Sequence, residues 1–233
     1  MTTLAETDPK LRACSILHQV ALGRQQVYRW LALGFYPPDA QLAQALNTGQ
    51  FVEEILLATV WLGEDRNKFL HGLAQLRECP SIGMSELAND YERLFGKSVE
   101  RVPMHEAAYR WREATAVLET ANEVTSALRH VYGQFGVTPI ANNEDLLPVE
   151  LELMAFLCER EAAEWNVNNS SSARQLRLQE RTFLDDHLGR WFPEFCRRVS
   201  ERSPSCFYHA LIFLCDTWVE LEYGPGYLPA RFI

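Results

Sequence analysis

His105 followed by Glu106 begins as a zinc-hydrolase helix does, in which a second imidazole four residues on completes the metal pair and the glutamate acts as base. Here that fourth position is Tyr109, so the pair is incomplete. Cys206 with His209, and Cys14 with His18, are each spaced to share a helical face. A structural zinc needs four such ligands, and these two pairs stand at opposite ends of the chain. Di-iron bundles draw a Glu-x-x-His pair from each of two helices, and no such tetrad occurs. Asp185, Asp186 and His187 supply acids and a base, but adjacent helical residues diverge around the axis and cannot form a compact dyad. There is no phosphate-cradling glycine loop and no Gly-x-Ser-x-Gly elbow. The residues therefore nominate no catalyst, no metal ligand set and no cofactor.

A different chemistry stands out around two long irregular segments. Glu144, Asp145, Glu150 and Glu152 crowd one helix start, where the helix dipole favours carboxylates. The bland reading is that dipole effect; the sharper one is an acidic rim that reads a basic peptide. Tyr91, Leu94 and Phe95 precede the first irregular segment and are either core or the lining of an apolar groove. Rim and groove together would suit a ligand with a basic head and an apolar run, bound by charge pairing and helix-in-groove packing.

The elements that must position these residues read as helix after helix. Residues 10–33 carry Ile16, Val20, Val27 and Leu31 at helical spacing and stop at Gly34, before Pro37-Pro38. Asp39 can cap a short helix that reaches Leu46. Helices over 51–62 and 66–77 follow, separated by Gly63, and Ser85 can cap a helix over 86–95. Residues 96–110 are irregular. Val117, Ala121, Val124, Leu128, Val131 and Phe135 then form one stripe that ends at Gly136. Residues 137–147 are a second loop, leading into a helix from about Pro148 to Trp165 and a polar linker over 166–172. The segment 174–191 is helical by Leu176, Phe183, Leu184 and Leu188, with Pro193 as its breaker. Ser203-Pro204 opens a last helix that Gly224 closes. No stretch alternates with a period of two. The expected fold is an all-α globular bundle of about nine or ten helices in one domain. An N-terminal lobe of about 10–136 and a C-terminal lobe of about 144–224 would be hinged near 136–147.

Composition narrows the partners. The 233 residues are 47% hydrophobic and 23% charged, with 22 Lys plus Arg against 31 Asp plus Glu, a net charge of −9. That balance argues against nucleic acid, whose binding draws on basic residues to neutralise phosphates, and suits a partner that carries positive charge. The six cysteines are scattered without a Cys-x-x-Cys pair, and a chain of this size needs no covalent staple. Reduced thiols in a cytoplasmic protein are the simplest expectation. No segment is long and apolar enough for a membrane span, and the first ten residues do not read as a secretion signal.

Several short segments look familiar in combination. Tyr91-Glu-Arg-Leu-Phe95-Gly96 followed by Pro103-Met-His-Glu106-Ala-Ala-Tyr109 is similar to the central motif of the TorD/DmsD family. Glu144-Asp145-Leu-Leu-Pro-Val-Glu150-Leu resembles that family's most recognisable signature, with Asp145 and Glu150 at the right separation. His187-Leu-Gly-Arg-Trp191-Phe-Pro193-Glu-Phe195 looks like its His-Leu-x-x-Trp-x-Pro-x-Phe segment, and Phe207-Tyr208 sits where an aromatic pair opens the last helix. The matches run in the family's order from Tyr91 to Trp218. Leu146 stands where the family has a histidine after the aspartate, and Ala107 where it has a serine after the glutamate.

The resemblance implies an all-α cytoplasmic chaperone dedicated to a molybdenum-cofactor oxidoreductase. Such a protein binds the precursor of the catalytic subunit, often at its twin-arginine leader, supports cofactor insertion and prevents premature export. It implies Glu106, Asp145 and Glu150 as polar site residues, with Glu144 beside them, and Tyr91, Leu94 and Phe95 as pocket wall. His187 and Trp191 read as packing residues. On this view Asp145→Ala and Glu150→Ala weaken client binding with little loss of thermal stability. The rival readings are a small metal-dependent helical enzyme using His105, Glu106 or His187, and an adaptor subunit retained in a redox complex. The sequence leaves the choice between monomer and homodimer open.

Overall fold

The computed structural model describes residues 9–61, 67–79, 83–110, 117–139, 143–202 and 204–223. Among them are eleven α-helices and no strand: α1 Pro9–Phe35, α2 Ala40–Thr48, α3 Gln50–Ala58, α4 Asn67–Glu78, α5 Met84–Phe95, α6 Ala107–Arg110, α7 Val117–Gln134, α8 Leu147–Asn166, α9 Ser170–Asp186, α10 Leu188–Glu201 and α11 Cys206–Tyr223. No described helix is long and apolar enough to cross a membrane. The expected all-α class is the observed one.

Local chemistry explains most boundaries. The Asp39 side chain accepts from Leu42 N at 2.8 Å and starts α2. Gly49 ends α2 with a positive φ of 78° and hands the chain straight to α3, a left-handed turn that a side chain would resist. Asn169, accepting from Ser172 N, caps α9 within what reads in sequence as a polar linker. Several boundaries differ from expectation: α3 ends at Ala58 rather than near 62, residues 107–110 of the segment read as irregular form α6, and α9 starts at Ser170. Ser85 lies inside α5, which is preceded by Gly83 in extended backbone and has no side-chain cap. The helix over 174–191 is in fact two, broken at His187 (φ −126°, ψ −100°), while Pro193 lies within α10. Proline there removes one bond near the start of the ladder. The apolar pattern does not change phase at His187, because α9 and α10 both turn their apolar faces to one core. Gly63, Ser203 and Gly224 lie outside the described residues, as do 140–142 of the second loop.

The larger of two hydrophobic clusters runs from Val27, Tyr28, Leu31 and Phe35 of α1 through Leu128 and Tyr132 of α7 and Leu151, Met154 and Leu157 of α8 to Phe207, Leu211 and Trp218 of α11; a smaller one joins Cys14, Leu17 and Ala21 of α1 to Ala162 and Trp165 of α8 and Ala173 of α9. The axis of the packing is α1 lying along α8, with α9 and α11 alongside. Gly23 makes the approach of α1 to α3 possible, since a Cβ there would lie 2.3 Å from the carbonyl oxygen of Ala58. The thiols correct an expectation. Cys14, Cys158, Cys196 and Cys215 are free and buried, but Cys79 and Cys206 are joined as a disulfide across Cα positions 5.7 Å apart. The sequence could not show that the end of α4 meets the start of α11.

Candidate functional site

The two irregular segments meet. Glu106 N donates to Asp145 O at 2.9 Å and Leu147 N to Met104 O at 2.8 Å, a short antiparallel pairing of His105 with Leu146. It seats Glu106, Glu144 and Asp145 at the start of α8, beside Glu150 in its first turn.

These carboxylates do not form an exposed rim. Glu106 and Glu150 are fully buried, and Glu144 and Asp145 nearly so. Each is answered from within the chain. Arg110 Nη1 donates to Glu106 Oε1 at 2.7 Å, and His187 Nδ1 lies 3.0 Å from Glu106 Oε2. Arg129 Nε donates to Glu144 Oε1 at 2.6 Å. His105 Nδ1 lies 2.9 Å from Asp145 Oδ1, while Asp145 Oδ2 accepts from Ala107 N at 3.3 Å. Trp191 Nε1 donates to Glu150 Oε2 at 3.2 Å, and Glu150 Oε1 has no hydrogen-bond partner among the described residues. Burial, reinforced by the negative charge of Glu106, pushes the Glu150 carboxyl well above the usual carboxylate range. It therefore retains a proton where an exposed glutamate has lost one.

Tyr91, Leu94 and Phe95 are not the wall of an open groove either. Leu94 and Phe95 are buried and Tyr91 is half-buried. Phe95 stacks on Phe195 at 6.0 Å and meets Tyr208 edge-on at 5.4 Å, with Tyr91 against Phe95 and Tyr208. They belong to the aromatic core under α10 and α11. His187 and Trp191 pack as expected, against Phe183 and Phe195 respectively, and each also binds a buried glutamate. Sequence reasoning missed that second role, since the partners lie 81 and 41 positions away.

An apolar opening does exist, one helix face over. A cavity of about 370 Å³ lies between the end of α7, the loop after it and α8, walled by Tyr132, Val137, Leu146, Val149, Leu153 and Phe156. Leu146 thus makes apolar a wall position where a histidine was the expected type. Tyr36 and Glu152 stand at this cavity and also at a second one of about 420 Å³, lined by Arg29, Trp30, Leu33 and Glu54. The two openings share only these two lining residues. Burial and the Glu152 carboxylate raise the Tyr36 hydroxyl above its ordinary range.

A second polar centre had no signal in the sequence. Arg24 of α1, 1% exposed, donates to Glu161 of α8 at 2.6 Å, to Glu180 of α9 at 2.5 Å and to Glu222 of α11 at 2.6 Å. Arg177 joins Glu180 and Glu222 at 2.9 and 3.2 Å. Trp165 Nε1 donates to Glu161, and Tyr28 OH to Glu222. Arginine suits this task, because its planar fork serves several carboxylates at once and keeps its charge when buried. Among the described residues no group of three His, Cys, Asp or Glu is placed to hold a metal ion.

The site is thus an all-helical body in which two paired loops bury a carboxylate cluster, with an apolar cavity nearby. The chain belongs to the nitrate reductase delta subunit family, whose model matches residues 61–197 and so spans Tyr91–Phe95, Glu106, Asp145, Glu150 and Trp191. Over 208 residues it is 28% identical to the perchlorate reductase assembly chaperone protein of Dechloromonas aromatica (strain RCB), covering 86% of this chain and 88% of the relative. A shorter stretch of 55 residues, 24% of this chain and 28% of the relative, is 46% identical to the selenate reductase assembly chaperone protein of Thauera selenatis. Another of 43 residues, 18% and 20%, is 42% identical to the chaperone protein TorD of Shewanella loihica (strain ATCC BAA-1088 / PV-4). The TorD-like character seen in the motifs is borne out by these matches. No solved structure matches the chain at a significant level.

Proposed function

We propose that this protein is a system-specific assembly chaperone for an oxidoreductase. It binds the precursor of a molybdenum-cofactor catalytic subunit in the cytoplasm, at its twin-arginine leader or its body, supports cofactor insertion and delays export. It acts by binding, as a monomer or homodimer, with no turnover of its own. The observation that carries this reading is the likeness to an assembly chaperone over nearly the whole of both chains.

The two openings that share Tyr36 and Glu152 support a docking cleft for an apolar client segment, with Glu54 and Glu152 at its edge to meet basic residues. The buried cluster of Glu106, Glu144, Asp145 and Glu150 acts behind it by holding the two loops together. This revises one expectation. Alanine at Asp145 or Glu150 would strand buried partners, so stability falls together with any loss of binding.

The test is a tagged pull-down from the native host grown anaerobically, with bound proteins identified by mass spectrometry. The expected result is an immature reductase subunit with its leader uncleaved. The exposed-edge variant Glu152→Lys should lower that recovery at least several-fold with an unchanged circular dichroism spectrum. An empty pull-down with wild type would overturn the chaperone reading, and equal recovery with Glu152→Lys would overturn the cleft as the docking place.

A further inference from the structure

Cys79 and Cys206 form the disulfide of this chain among the described residues, and its position differs from that of every other cysteine. Cys206 is exposed and Cys79 half-buried, whereas Cys14, Cys158, Cys196 and Cys215 are all buried. Burial pushes the thiols of Cys158, Cys196 and Cys215 well above the ordinary range, which makes them poor nucleophiles. The bond joins the residue just after α4 to the first residue of α11, beside a cavity of about 450 Å³ to which Cys79, Leu76 and Phe207 contribute. A core that includes Trp218, Phe207 and Phe51 already holds these helices together, so folding does not depend on a staple.

We infer that Cys79 and Cys206 are a reversible thiol–disulfide site, oxidised by exchange with a small-molecule disulfide of the glutathione class. Cys206, accessible and at a helix N-terminus whose dipole favours a thiolate, attacks one sulfur of the oxidant and expels the first glutathione thiolate, leaving a mixed disulfide. Cys79 then attacks Cys206 Sγ and expels the second. Two protein thiols are oxidised and one glutathione disulfide is reduced to two thiols, with the two protein protons passing to the departing thiolates. Closure fixes the end of α4 to the start of α11 and the wall of the cavity between them; opening releases both. This inference is independent of the chaperone reading.

The full-length protein is reduced with dithiothreitol, exchanged into glutathione disulfide, and compared by thiol counting, peptide mapping and thermal melting. The expected result is loss of two thiols, a linked 79–206 peptide and a midpoint raised by about 5–10 °C, all reversed by fresh reductant. Cys79→Ser should stop at a glutathione adduct on Cys206, and Cys206→Ser should remain largely unmodified with an unchanged circular dichroism spectrum. An unchanged thiol count, a bond that dithiothreitol does not open in the folded protein, or adducts on the buried cysteines would overturn the inference.

Discussion

The Glu150 carboxyl is fully buried beside Glu106 and Asp145, with one oxygen on the Trp191 indole and the other without a partner among the described residues. With its proton retained, it is nearly the shape of a glutamine. Glu150→Gln is therefore expected to melt within about 2 °C of wild type near neutral pH, while Glu150→Ala loses about 2–4 kcal/mol by leaving a cavity and an unpaired indole; urea denaturation of both variants checks this. The sign of the pH effect follows from the raised carboxyl. Above the ordinary carboxylate range the native state holds a proton that the unfolded chain has released. Stability is therefore fully present below that range and falls as pH rises toward the native value. Glu150→Gln removes this contribution, so its stability should fall less steeply with pH than that of wild type. That acids near 144–150 are special was legible from their crowding. That they face inward was not, because the partners of Glu144, Asp145 and Glu150, at 129, 105 and 191, lie on other elements.

At the scale of elements, α1 is held by two contacts of opposite kind. Arg24 draws α8, α9 and α11 onto it through three carboxylates, and Gly23, the residue before, lets α3 come within backbone contact. Arg24→Met is expected to lose about 3–5 kcal/mol, because it strands buried charge rather than because the ion pairs are strong in themselves. Equilibrium unfolding in urea reads this, and replacing Glu161, Glu180 and Glu222 by glutamine in the same background should restore part of the loss. Gly23→Ala must push α3 away from α1, since backbone carbonyl cannot yield as a side chain can. A loss of about 1–3 kcal/mol is expected by the same measurement. Most helices were legible from apolar periodicity; the single turn of α6, inside a segment read as irregular, was not. The α9–α10 break was not, because an uninterrupted apolar pattern conceals a change of axis and Pro193 drew the boundary to itself.

For the whole molecule, the continuous core predicts one cooperative unfolding event. Leu128 and Tyr132 on one side of the second loop, and Leu147 and Leu151 on the other, pack into the same cluster. Far-ultraviolet circular dichroism and tryptophan fluorescence should therefore report coincident urea transitions, and separated transitions would argue for two lobes hinged near 136–147 that unfold independently. The same core contains three glutamates facing Arg24 and Arg177, so full ionisation would leave one negative charge in excess. Burial raises Glu161 to about 8 and Glu180 to about 7. Between the ordinary value of 4.5 and these values the native state binds more protons than the unfolded chain. The contribution of this set should accordingly be full below the ordinary value of 4.5 and be lost as pH rises toward 8, which a series of thermal melts would show. A flat profile would mean that the set is fully ionised and compensated.

The sequence by itself determined the all-helical class, the approximate bounds of most helices, the family resemblance and the segments at 91–110 and 144–150 that meet in the candidate site. Each of these is written in local order, as apolar spacing, capping residues or a short motif. Only the tertiary structure decided that the acidic residues are buried and answered, that Leu94 and Phe95 are core, that an apolar cavity lies between α7, the loop after it and α8, that Arg24 gathers three glutamates, and that Cys79 meets Cys206. Those outcomes depend on which surfaces of distant helices are pressed together. Burial and partnership are properties of such pairs, and a single chain read from end to end carries the halves of each pair without saying which belong together.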